Sequence, residues 1–226
     1  MSKNNECIHK STCKQKNSSL CNDLCLKQKI LKNLLRDTNL PEYMWKPLDL
    51  IANKDYYNFE QLSAIKTNIV KFVSEGNNIL IYSKNCGNGK TSWASKLLVS
   101  YVEAVWYKDC VDRRGLFINV PKFLYDCKRN ISHTVDGFDE LCDDLNRVDI
   151  VVWDDIGAGN MSGYEHQILL QSIDHRLNNH LSNIFTANIT EDEIYSTLGS
   201  RLGSRIWGCS KRIKFVDLDK RGLDQW

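Results

Sequence analysis

Residues 78–106 hold the arrangement that most narrows what this chain can become. An apolar run, Asn78–Tyr82 (NILIY), passes through a glycine-bearing loop, Ser83–Lys90 (SKNCGNGK), into a long amphipathic stretch from Thr91 to Trp106. A short run of bulky apolar residues bounded by a turn reads as a buried strand, and the 3.6-residue periodicity after it reads as a helix. A buried strand feeding a helix is half of a βαβ unit and needs parallel neighbours. Candidates are Gly115–Val120 (GLFINV), Val148–Trp153 (VDIVVW), Asn183–Ala187 (NIFTA) and Lys211–Val216. Between them Lys122–Ile131 and Tyr164–Asn179 read as helices, the first with its start fixed by Pro121; Phe59–Ser74 precedes the first strand as a helix ended by Gly76-Asn77. The expected fold is α/β, a central parallel sheet covered by helices on both faces.

The loop carries chemistry as well as a turn. Gly87 and Gly89 can take positive φ and point backbone N–H groups inward, and the helix start adds partial positive charge. A lysine here reaches the β and γ phosphates of a nucleoside triphosphate, and the following hydroxyl serves Mg²⁺. Cys86, Gly87, Asn88, Gly89, Lys90, Thr91 and Ser92 are therefore the residues expected to hold ATP. One position departs from the G-x-x-x-x-G-K-[ST] pattern, because Lys84 stands where the first glycine belongs. That glycine mainly serves the turn out of the strand, so the match is weakened rather than lost.

Three later segments fit the same chemistry. VDIVVW ends in Asp154-Asp155, where a nucleotide-binding sheet places an acid for Mg²⁺. Asp154 is expected to hold the metal and Asp155 to activate water; a glutamate is more usual at the second position, and the shorter side chain should slow hydrolysis without affecting binding. Asn188, directly after NIFTA, suits a water-positioning amide, a capping asparagine being the plainer alternative. In Leu198–Gly208 (LGSRLGSRIWG), Arg201 and Arg205 share a face if the segment is helical. An arginine inserted into a neighbouring subunit's site would stabilise transition-state charge, whereas two solvated arginines would do nothing.

The amino-terminal part has a different character. Nine cysteines are many for a reducing compartment, and Cys7, Cys13, Cys21 and Cys25 are grouped while Cys86, Cys110, Cys127, Cys142 and Cys209 are scattered. Residues 1–28 cannot bury a core of their own, and four thiolates binding Zn²⁺ would organise them, with His9 as a spare ligand. Iron–sulfur spacings are absent; unliganded thiols in a tail remain the alternative. The scattered cysteines read as buried thiols, except Cys86, whose alkylation should block nucleotide. Apolar clusters at Leu31, Leu34 and Leu35 and a connector with Pro41 and Pro47 lead to a boundary near residue 56, giving a 1–55 region and a 56–226 domain. A net charge of +2 means that any nucleic-acid surface must be local. With no run long enough to span a membrane and a polar start, the expectation is a cytoplasmic protein without membrane contact.

The phosphate loop, IVVWDDIG, the helix with Tyr164-Glu165 and Asp174-His175-Arg176, TANIT and LGSRLGSRIWG together resemble the AAA+ ATPases. Within them the chain is similar, over roughly residues 56–222, to the bacterial and phage DnaC/DnaI-type loaders of replicative helicases. The resemblance implies a lidless P-loop core with Lys90 and Thr91 as Walker A, Asp154 and Asp155 as Walker B, Asn188 as sensor 1 and Arg205 as arginine finger. Arg201 is the second choice for the finger, and Arg221 would stand in for sensor 2. It further implies an ATPase that is weak unless assembled, self-association through Arg205, the hexameric replicative helicase as partner, and single-stranded DNA in a central channel. Pro121–Arg129 (PKFLYDCKR) would face that channel, with Lys122, Lys128 and Arg129 for phosphates and Phe123 for base stacking. The same stretch would equally suit Phe123 and Leu124 in the core beside solvated cations. The 1–55 region would contact the helicase through Leu31, Leu34, Leu35 and Trp45. Two other readings stand beside this one: a transposition ATPase with the same lidless core, and a nucleotide-gated binding module with little turnover.

Overall fold

The computed structural model describes residues 7, 13–15, 18, 21–22, 25–46, 50–51, 53–107, 113–159 and 161–219. Among them, β1 (Asn78–Tyr82), β2 (Gly115–Asn119), β3 (Ile150–Asp154), β4 (Ser182–Ala187) and β5 (Lys211–Lys214) form one sheet in the order β2-β3-β4-β1-β5. Every pairing is parallel, as the alternation of apolar strands and helices requires. Tyr82 lies opposite Ala187, and Asn119 opposite Asp154. The carboxyl ends of the strands therefore finish along one edge, which is where the loops after β1, β3 and β4 gather.

The helices are α1 (Leu26–Asp37), α2 (Tyr56–Thr67), α3 (Ile69–Ser74), α4 (Lys90–Val105), α5 (Val120–Ser132), α6 (Phe138–Arg147), α7 (Gly163–Asn178) and α8 (Ile194–Cys209). Side chains of a strand alternate between faces, so Ile79 and Ile81 of β1 meet Leu97, Leu98 and Val102 of α4. Leu80 and Tyr82 point the other way, into a second core with Trp153, Phe185, Leu169, Ile173 and Ile206. Apolar residues on both faces are what make these strands read as continuous hydrophobic runs.

Several elements differ from the sequence reading. The helix expected over residues 59–74 breaks at Asn68 (φ −109°, ψ 28°), whose side-chain amide donates to the Ala64 carbonyl at 3.1 Å. Such local bonding competes with helix continuation. α6 was not expected, and α8 bends at Gly199 (φ 72°, ψ 158°).

The larger correction concerns α1. Leu31, Leu34 and Leu35, expected to face a partner, are buried in the same core as Leu97 and Val102. Just beyond, the Thr38 carbonyl accepts the Phe117 N–H at 2.7 Å, giving edge strand β2 a backbone partner. Trp45 is half-buried and donates through Nε1 to the Leu40 carbonyl at 2.9 Å. The α/β unit thus draws on residues well before 56.

Cys7, Cys13, Cys21 and Cys25 are half-buried and are not in disulfides. Short turns closed by Cys21 N–H to Ser18 and Cys25 N–H to Asn22 carry this segment, and among the described residues no three metal-ligating side chains converge. The geometry gives the expected zinc site no support. His9, Cys110 and Arg221 lie outside the described residues. Of the scattered cysteines Cys127 is buried, its thiol pushed up to about 12 chiefly by burial, whereas Cys209 is exposed, against expectation. No helix among the described residues is long and apolar enough to cross a membrane.

Candidate functional site

The loop after β1 has the two left-handed glycines its sequence suggests, Gly87 at φ 68° and Gly89 at φ 98°. Gly89 is further constrained by contact: a Cβ there would lie 2.2 Å from Leu50 Cδ1. Leu50 thereby seats the segment before α2 against the loop. Lys90 opens α4 with only 5% exposure, and its Nζ donates to the Asn85 carbonyl at 2.7 Å and to Asn88 Oδ1 at 3.1 Å. A buried ammonium is costly unless it is hydrogen-bonded, and these loop oxygens supply the bonds. The side-chain amides of Asn85 and Asn88 in turn donate to the Asp217 carbonyl at 3.2 and 3.4 Å.

One helical position on, Thr91 Oγ1 donates to Asp154 Oδ1 at 2.8 Å, and Thr186 Oγ1 donates to the same oxygen at 2.7 Å. Asp154 is 7% exposed. Burial raises its pKa above the ordinary carboxylate value, the hydroxyls of Thr186 and Thr91 oppose the rise, the neighbouring Asp155 adds to it and Lys90 opposes it. A hydroxyl beside a carboxylate at the mouth of a phosphate-type loop is the donor set that suits Mg²⁺ with a bound triphosphate.

Asp155 follows at φ 63°, a left-handed conformation that aspartate tolerates better than most residues. Its N–H donates to Thr186 Oγ1 at 2.9 Å, and Asn188 Nδ2 donates to its carboxylate. Lys90, Thr91, Asp154, Asp155 and Asn188 are thus brought to one place by the ends of β1, β3 and β4. Thr186 joins them unannounced, since a threonine within a strand reads as ordinary β-propensity.

The remaining expected residues lie elsewhere. Arg201 and Arg205 are exposed on the half of α8 beyond Gly199, and Arg205 Nε pairs with Asp174 Oδ1 of α7 at 2.7 Å. On α5, Lys122 and Arg129 are exposed, while Lys128 pairs with Glu165 at 3.0 Å. Phe123 is a correction: it is 4% exposed, with its ring 6.1 Å from that of Phe138 and 6.4 Å from that of Trp153, and no base can stack on it. The exposed aromatic of that helix is Tyr125.

Arg176 was quoted only as part of a motif, yet it is fully buried. Its guanidinium donates to Asn183 Oδ1 and to the carbonyls of Leu145, Val148 and Ser182 at 2.7–3.0 Å, tying α7 to α6, to the connection before β3 and to β4. Burial brings its pKa down to about 9.

The chain matches no protein-family model and no curated protein. Among solved structures it is similar to the DnaC helicase loader, with a TM-score of 0.61 and 21% identity over 78% of this chain and 100% of that one. The DnaI crystal structure gives a TM-score of 0.59 and 18% identity, covering 80% of this chain and 94% of that one. The replication initiator DnaA bound to AMPPCP and single-stranded DNA gives 0.60 and 16%, with 76% of this chain aligned to 50% of that longer one. At such identities the likeness establishes the architecture. The chain shares the α/β fold of these solved structures, a five-stranded parallel sheet flanked by helices.

Proposed function

We propose that this chain is an AAA+ ATP-hydrolysing loader of a replicative DNA helicase, acting as an oligomer that binds single-stranded DNA. The observation that carries the reading is the Thr91–Asp154 contact at 2.8 Å beside a buried Lys90, in a fold that covers 100% of a helicase-loader chain.

The roles of the residues follow from their positions. Lys90 exchanges the Asn85 and Asn88 oxygens for β- and γ-phosphate oxygens, and the backbone of Cys86–Gly89 with Ser92 at the helix start surrounds the phosphates. Mg²⁺ held by Thr91 and Asp154 would neutralise charge on the phosphate oxygens. Asp155 takes the proton of the attacking water, and Asn188, already bonded to Asp155, orients that water. Arg205 leaves Asp174 to approach the γ-phosphate of a neighbouring subunit, with Arg201 beside it. Lys122, Lys128 and Arg129 offer cations to the DNA backbone.

The test combines ATP turnover, with and without single-stranded DNA, and co-purification with the hexameric helicase of the host. Turnover no higher than that of an Asp155→Ala control, together with no helicase recovered, ends this reading. Turnover at the control level with helicase still captured selects the nucleotide-gated binding module in its place.

A further inference from the structure

Lys84 replaces the first glycine of the phosphate-loop pattern, and its side chain crosses to another loop. Its Nζ donates to Glu193 Oε1 at 2.7 Å. The other oxygen of that carboxylate, Oε2, accepts the Thr190 N–H at 2.9 Å. Thr190 lies two residues after Asn188, with buried Ile189 between them. The two loops start side by side, since Tyr82 is opposite Ala187 and the Ser83 N–H donates to the Ala187 carbonyl at 3.1 Å. Lys84 and Asn188 are the next residues of each.

We propose that Lys84 is a positioning residue for hydrolysis: through Glu193 it clamps the segment carrying Asn188 to the phosphate loop, and so holds Asn188 on Asp155. The proposal rests on the ATPase reading above. Exposed ion pairs hold little energy by themselves, and Lys84 and Glu193 are 69% and 38% exposed. Here the pair need only fix the first residues of two loops whose strands are already bonded. On its other side the same segment is held by Glu191, which accepts from Tyr82 Oη at 2.5 Å and pairs with Lys214 at 3.6 Å. The clamp also leaves its mark on Glu193, whose carboxyl is brought down to about 2, first by Lys84 and then by the Thr190 N–H. A glycine at position 84 would free the turn and lose the clamp.

The experiment is a cycle of Lys84→Met, Glu193→Gln and the double variant, with kcat and nucleotide affinity measured separately. Each single variant is expected to lower kcat about two- to fivefold, the range of an exposed pair, with affinity within about twofold of the original. The double variant should be no slower than the slower single one, and Lys84→Arg should restore kcat. Effects that simply multiply, or a Lys84→Met variant that loses nucleotide affinity while keeping kcat, overturn the proposal. A second readout does not depend on turnover: amide hydrogen exchange at Thr190 should quicken in Lys84→Met, and unchanged exchange overturns the clamp while leaving the ATPase reading intact. An original chain with no turnover ends the ATPase reading, and the positioning role falls with it whatever the exchange shows.

Discussion

Asp55 and Asp217 each hold the backbone of the other's segment. The Asp55 carboxylate accepts the N–H groups of Val216 and Asp217, both at 2.9 Å, and the Asp217 carboxylate accepts those of Lys54 at 2.9 Å and Asn53 at 3.3 Å. This exchange closes the chain before α2 onto the chain after β5. The same Asp217 offers its carbonyl to Asn85 and Asn88, so the closure also supports the phosphate loop. Asp55 is fully buried, and its removal leaves the buried Asp217 N–H and the part-buried Val216 N–H without their acceptor. Asp55→Ala should cost about 3 kcal/mol in urea denaturation, from two hydrogen bonds to a charged group. A loss under about 1 kcal/mol would mean that the exchange contributes little.

Binding and chemistry should separate at the site. Lys90→Ala is expected to abolish nucleotide binding, measured with a fluorescent analogue. Asp155→Ala should keep affinity within about threefold and lower turnover by about a hundredfold or more, the usual contribution of a general base. Equal loss of binding in both variants would contradict the division of roles.

The pH dependence has a definite sign. The carboxyl of Asp154 is raised above 3.8 in the folded chain, mainly by burial, so the folded state binds the proton more readily than the unfolded one. Its contribution therefore favours folding at low pH and is lost as pH rises from 3.8 through the raised value. Asp154→Asn should raise the Tm of the nucleotide-free chain at pH 7 and flatten that part of the profile. The same variant should lose the Mg²⁺-dependent part of ATP stabilisation, which chelation removes in the original. Unchanged sensitivity to chelation would remove Asp154 from the metal.

Arg205 should matter between chains rather than within one. Its bond to Asp174 is half-exposed, so Arg205→Ala should alter stability by less than about 1 kcal/mol. Turnover of the assembled protein should nevertheless fall about a thousandfold. Mixing Arg205→Ala with Lys90→Ala subunits should recover part of it, because one intact site can then be shared. Confirmed mixed assemblies with no recovery would dismiss the arginine.

Cys86 is exposed in the phosphate loop, whereas Cys127 is buried. Alkylation should block nucleotide binding in the original chain and leave Cys86→Ser unaffected, and ATP should protect. Blocking that persists in Cys86→Ser would point to another thiol, with exposed Cys209 the first to test.

Much of this was legible because the strands are short apolar runs and the site residues stand directly after them. Asp154, Asp155 and Asn188 need no knowledge of packing once β3 and β4 are recognised. What periodicity could not supply was the identity of the surface each helix meets. The leucines of α1 mark an amphipathic helix equally well whether it covers α4 or a partner. On α5 the signal was present: Val120, Phe123, Leu124 and Cys127 follow helical spacing and are all buried, which puts Phe123 on the core stripe and Lys122, Tyr125 and Arg129 off it. α6 (FDELCDDLNR) carried the signal too: Phe138, Leu141, Cys142 and Leu145 stand at i, i+3, i+4 and i+7, and Phe138, Leu141 and Leu145 pack in the second core. Thr186 escaped because its hydroxyl acquires meaning only when β4 brings it beside Asp154.

The bend at Gly199 also divides labour. Residues 194–198 continue from the segment that carries Asn188, whereas the turns beyond carry Arg201 and Arg205 outward. On the proposed reading, a single helix serves two catalytic centres, its first half the one built by its own strands and its second half the one next door. Gly199 is the corner between them: a side chain there would be strained at φ 72° and would press on His166, 3.3 Å from the position of its Cβ. Straightening that corner would re-aim the outer half and uncouple neighbours without touching a single residue that meets nucleotide.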